Sequence, residues 1–185
     1  MDQSGDEKLA GSYALVSVHD REQRVGVMQT IAEIGQVISS SAVDGDYDIV
    51  LMIKELPGAG IEKFISNKIR TLKGVKAVEI CRVELAVGGV GSSIQDGDSG
   101  KSDSSSAECY LFLETDKRHF EDIFSSLSVL SSVTSCEVAS GQFSLVLRLE
   151  AGSFDTLEKI INEKIRPLPG VLRAKESRII KLSGL

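Results

Sequence analysis

The residues best suited to chemistry stand in one run, Gly45-Asp46-Tyr47-Asp48, immediately before the five apolar residues Ile49 to Ile53. A carboxylate such as Asp48 can pair with an α-ammonium group, and backbone N–H groups around Gly45 can receive a carboxylate. Tyr47 offers an apolar wall with a polar tip. Such a set suits a small zwitterion. The same residues also have a purely conformational use, because Gly accepts positive φ in a hairpin and Asp hydrogen-bonds its own backbone. On that reading Asp44 and Asp46 serve the turn and Tyr47 the packing.

No other set of residues has comparable spacing. His19 and His119 lack a second His, a Cys or a carboxylate at ligand spacing, and Cys81, Cys109 and Cys136 lie far apart without a C-x-x-C pair. Free, partly buried thiols, no catalytic residue, no metal and no cofactor are expected. Gly100-Lys101-Ser102 and Asp96-Gly97-Asp98 echo phosphate and calcium loops, but the remaining positions of those motifs are wrong.

The elements that hold the Gly45 run come next. Asp44-Gly45 predicts a tight hairpin, and Ile49 to Ile53 a strand apolar on both faces, so that something covers each side of its sheet. Ser12 to Val18 reads as an earlier strand of the same kind. Between them, Asp20 is a reasonable N-cap, Val27, Met28, Ile31 and Ile34 form a helical stripe, and Gly35 fits the helix end. After the Pro57-Gly58 break, Ile61, Phe64, Ile65, Ile69 and Leu72 make a second helix, closed by Lys73-Gly74 before a strand from Val75 to about Leu85. The predicted order is strand, helix, strand, strand, helix, strand.

Displaced by 96 residues, the sequence matches itself: Glu62 to Val75 and Glu158 to Val171 share nine of fourteen residues without a gap. The same displacement places Gly45 on Gly141 and Tyr47 on Phe143. Two units follow, residues 12–85 and 107–185, after a polar tail at 1–11 and joined by a Gly/Ser-rich linker at 86–106 that is expected to be flexible. Each unit is small, and its two helices cover one sheet face only. The expected α+β product is two four-stranded antiparallel sheets packed face to face with helices outside, a barrel-like pseudo-dimer.

Tyr13-Ala14-Leu15-Val16, Gly45-Asp46-Tyr47-Asp48-Ile49-Val50-Leu51 and Lys68-Ile69-Arg70-Thr71-Leu72-Lys73-Gly74-Val75 together resemble the Lrp/AsnC family's effector-binding (RAM) domain. The resemblance implies a ferredoxin-like βαββαβ unit that dimerises into an α/β barrel and binds amino acids near subunit interfaces. It assigns ligand binding to Gly45, Asp46, Tyr47 and Asp48. The second unit reads Gly141-Gln142-Phe143-Ser144 and has lost both carboxylates and the phenol, so a site is expected in the first unit. Only about ten polar residues precede the first strand, too few for the family's helix-turn-helix domain.

Charge and hydropathy limit the partners. The chain carries −6 at neutral pH, with an isoelectric point of about 5.0 and no basic stripe, which argues against direct nucleic-acid binding. The apolar runs are short and the N-terminus is polar, so neither a membrane span nor a signal peptide is expected and the location is expected to be cytoplasmic. The predicted function is a stand-alone tandem effector module for an amino acid or related metabolite, acting through a partner such as a full-length Lrp/AsnC-type regulator and self-associating through its sheet faces. The alternatives are an enzyme on a related α/β barrel, with oxygenase, haem or tetrapyrrole chemistry, and a purely structural oligomerisation module.

Overall fold

The computed structural model describes residues 11–56, 60–88 and 106–182. The Pro57-Gly58 break and the loop-like motifs around Asp96 and Lys101 lie outside them. Strand β1 (Gly11–Val18) leads through a 3-10 turn at Arg21–Gln23 into helix α1 (Arg24–Ala32), then β2 (Val37–Gly45) and β3 (Ile49–Lys54). Helix α2 (Gly60–Phe64) continues as a π-helical turn, Ile65–Ile69, before β4 (Val75–Gly88). The same order then recurs: β5 (Ala107–Thr115), a 3-10 turn at Lys117–His119, α3 (Phe120–Ser128), β6 (Val133–Ser140), β7 (Leu145–Ala151), α4 (Phe154–Ile160), a π turn at Ile161–Ile165, and β8 (Val171–Ile179). Strand β4 runs to Gly88, three residues into the stretch assigned to the linker, because β6 offers it a partner as far as Ser135.

Local chemistry accounts for the element ends. Asp20 and Asp116 cap the two 3-10 turns, accepting from the backbone N–H groups of Glu22 and Arg118. Gly74 and Gly170, at φ +99° and +91°, do not cap the two longer helices, which end at Arg70 and Arg166; they lie in the turns immediately before β4 and β8. Gly35 does not have positive φ, and α1 ends earlier, at Ala32. The π turns were not foreseen. They are marked by bonds from Arg70 N to Ile65 O at 2.9 Å and from Arg166 N to Ile161 O at 2.8 Å. Ile61, Ile65 and Ile69 recur every fourth residue, a stripe that drifts about 40° per step around an α-helix. The wider π turn takes up that drift, and all three side chains are buried.

The strands close into a barrel in the order β1-β3-β2-β8-β5-β7-β6-β4. Each half contributes a four-stranded antiparallel sheet, and the halves join at two seams. At one, β4 and β6 pair from Arg82–Ser140 to Gly88–Ser135; at the other, β2 and β8 pair only at Val43–Ile179, Asp44–Arg178 and Gly45–Ser177. Closure removes the sheet edges. Strand β1 maps on β5 with a displacement of 97 rather than 96, since Val18 and Thr115 face Val75 and Val171. The turn before Asp20 holds one residue more than the turn before Asp116.

Strand alternation divides the apolar residues into layers. Ala14, Val16, Ile49, Leu51 and Ile53 pack under α1 and α2; Leu111, Leu113, Leu145, Leu147 and Leu149 pack under α3 and α4. Their neighbours Tyr13, Leu15, Val50, Tyr110, Phe112, Phe143 and Val146 fill the barrel itself. This is why the strands read as continuous apolar runs. Complete burial of such a side chain stabilises the fold by about 1.5–3 kcal/mol.

Candidate functional site

The turn that carries the expected site differs from a two-residue hairpin. Asp44 and Gly45 still belong to β2 and pair with β8; the reversal is made by the residues that follow, and Val43 N donates to Asp48 O at 2.9 Å. Gly45 has φ +138°, and a Cβ there would collide with the carbonyl oxygen of Glu176. The glycine is thus required by the approach of β8, a long-range cause that the local turn signature does not reveal.

The four expected residues do not converge. Asp48 turns to the helix side: its Oδ2 accepts from Val18 N at 2.8 Å, and its Oδ1 lies 3.3 Å from Arg24 and 3.7 Å from Arg21. Arg24 also reaches Asp44 at 3.2 Å. Tyr47, one residue earlier, points into the barrel. Its hydroxyl donates to Glu79 at 2.6 Å and accepts from Lys175 Nζ at 3.0 Å. Burial, then the bond to Glu79, raise its phenol well above the usual range. Asp46 is exposed at the turn.

Gly45 instead lines a cleft of about 360 Å³ together with Asp44, Glu176 and Arg178. The first two come from β2 and the others from β8, so the cleft lies across the short seam. Arg178 bonds Glu176 at 2.8 Å and lies 3.4 Å from Glu158. The arrangement sets Arg178 beside Glu176 on one strand and, on the other, Asp44, itself 3.2 Å from Arg24 and 3.4 Å from Arg21, next to a backbone position without a side chain; such a set can offer both signs of charge to a ligand.

The opposite seam supplies an internal comparison. There Arg82 faces Ser140 as Arg178 faces Asp44, and Arg82 pairs with Glu62 as Arg178 pairs with Glu158. The arginine and its partner are common to both seams. Ser140 and Ile80 replace the carboxylates of Asp44 and Glu176. Sequence reasoning named the Gly45 turn and did not name Glu176 or Arg178, which line the cleft beside it. Arg178 was detectable as the repeat of Arg82; nothing local marks either residue as lying opposite Asp44.

Elsewhere, His19 is exposed and His119 sits beneath Gly170, where a Cβ would strike it. Among the described residues no three His, Cys, Asp or Glu side chains are grouped to hold a metal. None of the described helices is long and apolar enough to cross a membrane.

Residues 108–182 match the family model of the Lrp/AsnC ligand binding domain. No curated protein matches the chain in sequence. Among solved structures, the siroheme decarboxylase NirDL superposes with a TM-score of 0.67 at 11% identity, over 92% of this chain and 71% of that one. An anthrone oxidase-like protein gives 0.54 at 10% identity, over 95% and 93%. At these identities the likeness is one of fold, the dimeric α/β-barrel type with ferredoxin-like halves. AsnC from E. coli aligns at 14% identity with a TM-score of 0.37, over 38% of this chain and 48% of its own. What the comparisons show is thus a match of residues 108–182 to the Lrp/AsnC ligand binding domain, together with a likeness of fold over nearly the whole chain.

Proposed function

We propose that the chain is a tandem pair of effector-binding units, 12–85 and 107–185 joined by 86–106, that binds an amino acid or related zwitterion across the β2–β8 seam and acts in regulation through a partner of the Lrp/AsnC type. The family match supports a small-molecule-binding regulatory role. The observation that carries the finer reading is the cleft of Asp44, Gly45, Glu176 and Arg178, whose carboxylates have no equivalent at the opposite seam. Arg178 receives the ligand's carboxylate, Asp44 and Glu176 its ammonium group, and Gly45 admits its backbone closely.

This reading keeps Gly45 as a binding residue and moves the carboxylate role from Asp48, largely buried between Val18 N and Arg24, to Asp44, which also contacts Arg24 and Arg21 but whose side chain is 44% exposed. Tyr47, turned into the barrel, and Asp46, exposed at the turn, are not among the residues that line this cleft. Binding is favoured over tetrapyrrole chemistry because Tyr13, Tyr110, Phe112 and Phe143 occupy the barrel interior. A thermal-shift panel over the amino acids tests the proposal. A ligand present at about a hundred times its dissociation constant adds about 2.7 kcal/mol, a rise of several degrees. No response to any amino acid at millimolar concentration would refute it.

A further inference from the structure

Glu79 on β4 and Lys175 on β8 occupy equivalent places in the two halves. They are 96 residues apart, Glu79 pairs in register with Leu15 on β1, and Lys175 with Phe112 on β5, the counterpart of Leu15. Equivalent positions that meet across a two-fold axis carry identical groups in a symmetric pair. Here they carry opposite charges and lie 4.0 Å apart, bridged by the hydroxyl of Tyr47. Lys175 Nζ is also 4.9 Å from the ring of Tyr47 and 5.7 Å from that of Phe143, the counterpart of Tyr47.

A second exchanged pair points the same way. Gln142, the counterpart of Asp46, lies between Glu79 and Arg173; with its amide turned so that the N–H faces Glu79, it donates to Glu79 at 3.0 Å and accepts from Arg173 at 2.9 Å. Arg173 stands where the first half has Ala77. Around the hydroxyl of Tyr47 the first half thus presents the carboxylate of Glu79, and the second half presents Lys175, Arg173 and the amide of Gln142.

We propose that this exchange selects the pairing partner: the inner sheet face of each half fits the other half and repels a copy of itself. Pairing of two first halves would bring Glu79 against Glu79, with Asp46 in place of Gln142. Pairing of two second halves would bring Lys175 against Lys175, beside two copies of Arg173. Like charges at this spacing are repulsive, and the half-buried setting leaves them only partly screened. The mechanism is one of specificity through an unfavourable alternative, independent of any ligand.

Single charge reversals in the full chain reproduce the two disfavoured contacts. Glu79→Lys creates the cation pair, Lys175→Glu the carboxylate pair, and the double variant restores opposite charges with exchanged positions. Each single variant is expected to lower Tm by about 3 °C or more at low salt. The double variant should recover over half of the summed loss, and raising the salt concentration should shrink the single-variant losses. Losses that simply add in the double variant, or are indifferent to salt, would overturn the proposal. Refolding an equimolar mixture of the two single variants gives a second readout: only exchange between chains restores both opposite-charge pairs. Native mass spectrometry should then show more mixed dimers than in refolded wild type; no excess would count against partner selection.

Discussion

Arg24 and Asp48, on α1 and at the head of β3, form the pin that fixes the Gly45 turn: the guanidinium, only 5% exposed, lies 3.3 Å from the carboxylate. The other oxygen of Asp48 accepts from the N–H of Val18 at the end of β1. Helix, strand end and turn are therefore tied through one side chain. In the second half Ser144 does part of this work, accepting from Thr115 N at 3.1 Å, and Phe120 stands where Arg24 is.

Asp48→Ala leaves a buried guanidinium and an N–H group short of their acceptor, and should cost about 3 kcal/mol. Asp48→Ser combined with Arg24→Phe imports the second half's solution and should recover much of that loss. Urea denaturation of the three proteins measures both effects. Equal stability of Asp48→Ala and wild type would show that the pin is not needed.

Gly45 and Gly141 have the same place in the two turns but different surroundings. An added Cβ strikes the Glu176 carbonyl at Gly45, whereas at Gly141 the nearest atom, Ile80 O, is 3.7 Å away. Both have positive φ, so each Ala substitution carries a conformational cost of roughly 1–2 kcal/mol. Gly45→Ala adds the collision and should be the more damaging by at least about 1 kcal/mol. Thermal unfolding of the two variants compares them directly.

The three thiols should be inert in the folded protein. Burial, the largest cause at each, pushes Cys81, Cys109 and Cys136 up to about 12. Alkylation at mildly alkaline pH should label none of them on the timescale that labels all three after denaturation. Rapid native labelling would contradict the packing of β4, β5 and β6.

Asp116 provides a pH signature. Its side-chain bonds to Arg118, and then the Arg118 backbone N–H, hold the carboxyl down at about 2 against a usual 3.8. Folding therefore favours the ionised form, and the contribution is complete above the unfolded value and lost as pH falls towards 2. The Tm difference between wild type and Asp116→Asn should hold steady near neutrality and vanish at the acid end. A difference independent of pH would separate the cap from its charge.

Much of this fold was legible in the sequence because periodicity reports burial. Five consecutive apolar residues at Ile49 to Ile53 announced a strand covered on both faces, and the 96-residue self-match announced a second sheet to cover it. What remained hidden has long-range causes. The π turns appear only when Ile61, Ile65 and Ile69 must all reach one core, and Gly45 owes its conformation to Glu176, 131 positions away. The sequence reading put a candidate site in the Gly45 turn, but alternation sent Tyr47 inward and Asp48 towards α1. Its other half, Glu176 and Arg178, lies on a strand that meets the turn only when the barrel closes.

Isothermal titration of the best-responding amino acid into wild type and Arg178→Ala tests the central claim most directly. Loss of a charge-assisted bond to the ligand's carboxylate should weaken binding at least about tenfold, with one site per wild-type chain. Arg82→Ala, the same change at the opposite seam, should leave the affinity unchanged. Unaltered binding in Arg178→Ala, or equal losses in both variants, would contradict a site on the β2–β8 seam.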